Sequence, residues 1–128
     1  MLKHKNILKT NTAIAWYLDS TLFVECLPDA VITLEDAVEH IERSSEIIEE
    51  RDFVQLIDMR RLKSITREAR VLYSRKNSNL NCKAVALLVS SPLSRVIANF
   101  FLGMNKPDRP IKLFTNKEKA ITWLKTHK

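Results

Sequence analysis

Five cations crowd one short stretch of the chain, Arg60, Arg61, Lys63, Arg67 and Arg70, with the hydroxyls of Ser64 and Thr66 between them. Guanidinium forks suit carboxylate and phosphate oxygens, and Thr66 sits where it would cap a helix whose first backbone N–H groups add donors and a positive dipole end. The chemistry that follows is recognition of an anionic ligand or an acidic protein, with Ser64 and Thr66 as the candidate phosphoacceptors. Arg70 has an alternative use as an ion-pair partner of Glu68 or Asp58.

Other combinations of reactive residue types lead less far. Asp36 and His40 stand four residues apart, as a metal pair or an intrahelical hydrogen bond would require; two ligands make a weak metal site, so the hydrogen bond is expected. The single glycine, Gly103, rules out Gly-rich phosphate loops, which need several. Asp58 at a strand end, with Ser90, invites comparison with a phosphoacceptor receiver. The acid pair such a site uses to hold magnesium is missing, and Lys112 falls inside its strand. Cys26 and Cys82 lack the spacing of zinc ligands and read as reduced, structural thiols. No catalytic assembly, metal or cofactor is expected.

The elements that must carry these residues follow from hydropathy and punctuation. Ala13–Leu18 and Thr21–Leu27 read as two antiparallel strands joined at Asp19 and Ser20. Thr33 and Asp36 form a capping box for a helix whose inward stripe is Leu34, Ala37, Val38, Ile41, Ser45 and Ile48. Phe53–Asp58 is a strand; Thr66 then opens a helix with Ala69, Leu72 and Tyr73 inward. Ala84–Ser90 is a strand covered on both faces. Ser91 and Pro92 begin a helix with Leu93, Val96, Ile97, Phe100, Phe101 and Met104 on one stripe, closed by Gly103, Asn105 and Pro107. Pro110–Phe114 is the last strand, and Thr115 with Glu118 caps the final helix. The order β-β-α-β-α-β-α-β-α predicts an α/β domain over residues 1–128, with a mixed, largely parallel sheet and flanking helices.

That order, with the segments Ile57-Asp58-Met59-Arg60, Ser64-Ile65-Thr66-Arg67-Glu68-Ala69-Arg70, Ser91-Pro92-Leu93-Ser94-Arg95 and Lys112-Leu113-Phe114-Thr115, resembles the STAS-like domains. It is most similar to a family of small uncharacterised bacterial proteins in that superfamily. The resemblance implies the fold of the anti-sigma-factor antagonists, related to the CRAL-TRIO lipid-transfer domains, and a regulatory, protein-binding role. In the antagonists a partner kinase phosphorylates a serine at a helix start; here that position falls on Glu68, with Thr66 where an Asp would stand, so that switch does not carry over.

Charge is polarised. Between Asp29 and Asp52 nine acids face two bases, whereas the remainder holds nineteen bases and six acids, within a net charge of +6. Such a field can steer an acidic partner to the basic side. A nucleic-acid partner is not expected, because no RNA-binding strand motif or recognition-helix pattern interleaves the bases with aromatics. Apolar runs fall far short of the roughly 20 residues that span a bilayer, and a cytoplasmic location is expected. The Ala13–Leu27 hairpin is expected at a sheet edge, open to pairing with a second copy. Two functions from different classes follow: a non-enzymatic interaction module working through the 60–70 loop, and a small-molecule or lipid-binding domain with a pocket beside the 92–105 helix.

Overall fold

In the computed structural model, which describes residues 7–74, 81–90, 92, 94–96 and 109–128, the chain builds one six-stranded sheet. Its strands are β1 (Ile7–Lys9), β2 (Ala13–Leu18), β3 (Thr21–Cys26), β5 (Asp52–Asp58), β7 (Asn81–Leu88) and β8 (Ile111–Phe114), in that spatial order. The first three are antiparallel; from β3 onward every pairing is parallel. Two short strands, β4 (Val31–Ile32) and β6 (Ser64–Ile65), pair separately in parallel. Besides a helical piece at residues 92 and 94–96, the described residues form the helices α1 (Leu34–Ile47), α2 (Arg67–Ser74) and α3 (Lys117–Lys125). This is the mixed, largely parallel α/β architecture the sequence predicts.

The β2–β3 hairpin closes through Asp19 (φ 56°) and Ser20 (φ 60°). Two consecutive left-handed residues match the right-handed twist of the flanking strands, and a short polar Asp tolerates that conformation better than most residues. Glu50 fastens the turn from outside, accepting from the Tyr17 and Ser20 hydroxyls at 2.7 Å each. The hairpin is not the sheet edge that was expected. β1 covers the free side of β2 and β3 pairs with β5, so the edges are β1 and β8.

The middle of the sheet is covered on both faces. Ala84–Val89 is buried throughout, and its alternate residues point to opposite sides: Val85 and Leu87 toward α1 and α2, Ala84 and Ala86 toward α3. On the α3 side Val54, Leu56, Ala84 and Ala86 pack with Ala120 and Leu124, flanked by Phe114 against Trp123 and by Trp16 stacked on Phe23. The opposite side holds two clusters. Ala13, Ala15, Tyr17, Leu22, Val24 and Phe53 meet Ile47 of α1; Cys26, Val85 and Leu87 meet Ala37 of α1 and Ala69 of α2.

Two helix starts form as expected. In α1 the Asp36 N–H donates to Thr33 Oγ1 (3.3 Å) while the Thr33 N–H donates to Asp36 Oδ2 (3.0 Å), and in α2 the Ala69 N–H donates to Thr66 Oγ1 (3.3 Å). The start of α3 is corrected by one residue. Asn116, not Thr115, is the cap, its Oδ1 accepting from the Lys119 N–H at 2.9 Å, because Thr115 is still turning the chain out of β8.

The inward face of α1 also differs from the expected stripe. Leu34 and Val38 are 43% and 39% exposed, and the buried residues are Ala37, His40, Ser44 and Ile47. Of the helix expected after Ser91, residues 92 and 94–96 are described as helical. Ser94 is buried, accepting from the Ser90 N–H at 3.1 Å, and Val96 is 61% exposed rather than inward. Ser91, Leu93, Ile97, Phe100, Phe101, Gly103, Met104, Asn105 and Pro107 lie outside the described residues.

Candidate functional site

The cation-rich loop is braced from beneath. The Asp29 N–H donates to the Arg61 carbonyl (2.9 Å), the Lys63 and Ser64 N–H groups donate to the Ala30 carbonyl (2.9 and 3.2 Å), and the Thr66 N–H donates to the Ile32 carbonyl (3.0 Å). These bonds join the β5–α2 connection to the β3–α1 connection. The short β4–β6 ladder is part of the same brace, and it fixes the entry to α2.

The cations divide into two groups on this frame. Arg60 is used internally: its Nε and Nη2 donate to the two carboxylate oxygens of Asp58 at 3.0 and 2.8 Å, and its backbone N–H adds a third bond at 3.0 Å. Burial pushes the Asp58 carboxyl up, but the Arg60 bonds and charge outweigh it and hold the carboxyl below its usual range. Arg70 donates from Nη1 to the Ile65 carbonyl at 2.6 Å, closing the loop onto the first turns of α2. Arg61, Lys63 and Arg67 are exposed. Thr66 is engaged as the helix cap, Ser64 is half-buried in β6, and Glu68 is exposed in the first turn of α2.

A second site was not read from the sequence. Between α1, α2 and the sheet lies a cavity of about 270 Å³. The described residues that line it include Leu22 and Val24 of β3, Phe53 and Ile57 of β5, Val85 of β7, and Leu72 and Tyr73 of α2. From α1, His40 and Ser44 face it. An apolar cavity of roughly 150 Å³ already admits benzene, so this one has room for more.

Into that apolar space α1 presents polar atoms that the described fold does not serve. His40 is 6% exposed and Ser44 is 5% exposed; His40 Nδ1, His40 Nε2 and Ser44 Oγ are buried and have no hydrogen-bond partner among the described residues. Each unmade bond costs on the order of 1–3 kcal/mol. Desolvation alone lowers the His40 pKa from 6.5 to about 4, so the ring is neutral near pH 7, with one N–H donor and one bare nitrogen acceptor. Tyr73 approaches it edge-on, with ring centroids 6.2 Å apart. The bond expected between Asp36 and His40 is not made, because the Asp36 carboxylate serves the capping box of α1 while the imidazole turns inward.

The remaining reactive types fall into ordinary roles. Cys26 and Cys82 are free thiols, raised by burial to about 12 and about 11. No group of three or more His, Cys, Asp or Glu residues is placed to hold a metal among the described residues, and none of the described helices is long and apolar enough to cross a membrane. Lys112 lies in β8 with its ammonium 5.4 Å from the Phe114 ring centroid.

Comparison with known proteins places this arrangement. The model of a family described as a domain of unknown function, DUF7793, matches residues 15–128, and the chain belongs to that family. Among solved structures, the chain is similar to an uncharacterised protein of the DUF3478 family with a SpoIIAA-like fold from Shewanella loihica PV-4. The two are 22% identical, with 92% of this chain and 90% of that one covered, at a TM-score of 0.56. A protein of unknown function from Arthrobacter sp. FB24 is 29% identical over 97% of this chain and 95% of that one, at a TM-score of 0.32. None of the curated proteins matches the chain. The Shewanella likeness shows the STAS-like fold that the sequence resembles, and the fold alone.

The buried imidazole makes stability depend on acid in a defined window. A His whose folded pKa is depressed contributes stability that is fully present above its unfolded value of 6.5 and is lost as pH falls toward about 4. Urea midpoints are expected to show a loss of about 2 kcal/mol between pH 7 and pH 5, and His40→Leu should remove most of that loss. Cys26, Cys82 and Tyr73, which also line the cavity, are raised and silent in this window. An unchanged acid limb in the variant would assign it elsewhere.

Proposed function

We propose that this DUF7793 member is a non-enzymatic binding module that takes a small, mainly apolar molecule between α1, α2 and the sheet. The observation that carries the reading is the combination of a cavity of about 270 Å³ with buried, unpartnered polar atoms on one wall. Small-molecule sites have this composition: apolar lining with a few placed polar groups that fix orientation. A well-packed core does not retain such atoms, since replacing them by apolar groups of similar shape is neutral or stabilising. Binding rather than catalysis is supported by His40 and Ser44 themselves. They lie one helical turn apart on a wall that is otherwise mainly apolar, as orienting groups for a bound molecule would.

A second reading rests on the loop, as a surface for an anionic ligand or an acidic protein. It is favoured by the division among the cations: Arg60 and Arg70 hold the loop in shape, leaving Arg61, Lys63 and Arg67 displayed around the start of α2. The two readings are compatible, because Ile65 of the loop and Leu72 and Tyr73 of α2 also line the cavity.

Naphthalene near its solubility limit is expected to raise the melting temperature of the protein, as any ligand confined to the folded state does. Val24→Phe, which fills the cavity from β3, should abolish the rise while folding normally. No shift in the parent would remove the cavity reading. For the loop, replacing Arg61, Lys63 and Arg67 together by Ser should change stability by less than about 0.5 kcal/mol per site and abolish titratable binding of inorganic phosphate or anionic vesicles. Arg60→Ser, by contrast, should cost on the order of 1–3 kcal/mol by leaving the buried Asp58 carboxylate with only the backbone N–H of residue 60. Equal anion binding by the triple variant and the parent would make the loop plain surface.

A further inference from the structure

We infer that the cavity selects an uncharged, mainly apolar ligand carrying a single hydroxyl or carboxamide group, held by the imidazole of His40 and the hydroxyl of Ser44. The inference rests on reading the cavity as a ligand site and adds what its ligand must carry. His40 and Ser44 are four residues apart on α1, so their side chains lie over one another on the same helix face. Both face the cavity, and His40 Nδ1, His40 Nε2 and Ser44 Oγ all lack partners among the described residues.

Two other polar groups on the wall are engaged elsewhere. The Ser45 hydroxyl donates to the Glu42 carbonyl (2.6 Å), and Arg109 Nε donates to the Cys82 carbonyl (3.0 Å). Among the described residues that line the cavity, the buried side-chain atoms without a partner are those of His40 and Ser44, together on α1. A hydroxyl answers both, donating to the bare imidazole nitrogen and accepting from the serine; a carboxamide does the same with separate atoms. A water resting there is replaced without loss, because the ligand group reproduces its bonds.

Charge and size narrow the class. The His40 ring is kept neutral by apolar surroundings, and an ionised group brought against it would be stripped of water without an opposite charge from α1. Scaling from benzene in an apolar cavity of roughly 150 Å³, about 270 Å³ accommodates a molecule of roughly eleven non-hydrogen atoms.

The test titrates three probes calorimetrically on the full chain at pH 7: 2-naphthol and 2-methylnaphthalene, which are of that size, and the slightly larger 2-naphthoate. A purely apolar cavity prefers 2-methylnaphthalene, since the naphthol hydroxyl must shed its water for nothing. The inference requires the reverse, with 2-naphthol at least tenfold tighter. His40→Leu should invert that preference, and Ser44→Ala should narrow it. The folding control is built in, because His40→Leu removes unserved polar atoms and should melt at or above the parent temperature. Preference for 2-methylnaphthalene in the parent would overturn the inference while leaving the cavity reading intact; binding of none of the three would remove the cavity reading itself. Tightest binding of 2-naphthoate, indifferent to His40→Leu, would overturn the inference by moving the polar anchor to the Arg109 guanidinium.

Discussion

β5 and β7 lie inside a sheet whose pairings around them are all parallel, so both of their faces must be kept from water. That constraint sets the layout. Among the described residues, α3 lies over β5, β7 and β8 on one side, with the small residues Ala84, Ala86 and Ala120 at the contact. On the other side, among the described residues, α1 and α2 meet the sheet through Ile47, Ala37 and Ala69, and both also line the cavity.

The same arrangement joins the two candidate sites. The loop over residues 60–70 is braced on the segment that leads into α1, and it leads into α2. Its inner residue Ile65 is part of both the core cluster and the cavity wall. The buried atoms of His40 and Ser44 without partners cost the fold stability.

Most of the architecture was legible because it follows from strong local signals. The buried run Ala84–Val89, the Thr33–Asp36 box and the Thr66 cap each depend on a few adjacent residues, and all formed. The face of α1 was misread for a physical reason. The expected stripe, Leu34, Ala37, Val38, Ile41, Ser45 and Ile48, shares only Ala37 with the buried one, Ala37, His40, Ser44 and Ile47, and hydropathy favours the first because Leu34, Val38 and Ile41 are more apolar than His40 and Ser44. The polar atoms that make the cavity a candidate site thus hid it from a periodicity argument. The signal that could have found it is the pair His40 and Ser44, four apart and in phase with Ala37 and Ile47. The loop was found because clustered Arg residues are conspicuous, but which of them are free depends on the Asp58–Arg60 bonds, which spacing does not reveal. β1, β4 and β6, at three, two and two residues, are too short to leave a pattern.

The central claim is that the space between α1, α2 and the sheet is a real, accessible apolar cavity. A crystal structure of the protein pressurised with xenon tests it most directly, because xenon enters apolar cavities without needing a specific contact. The account predicts xenon between α1 and β3–β5, in contact with Val24, Phe53 and Ile57, with His40 still facing the site. Side chains of α1 packed directly against Val24 and Ile57, with no xenon between them, would contradict it.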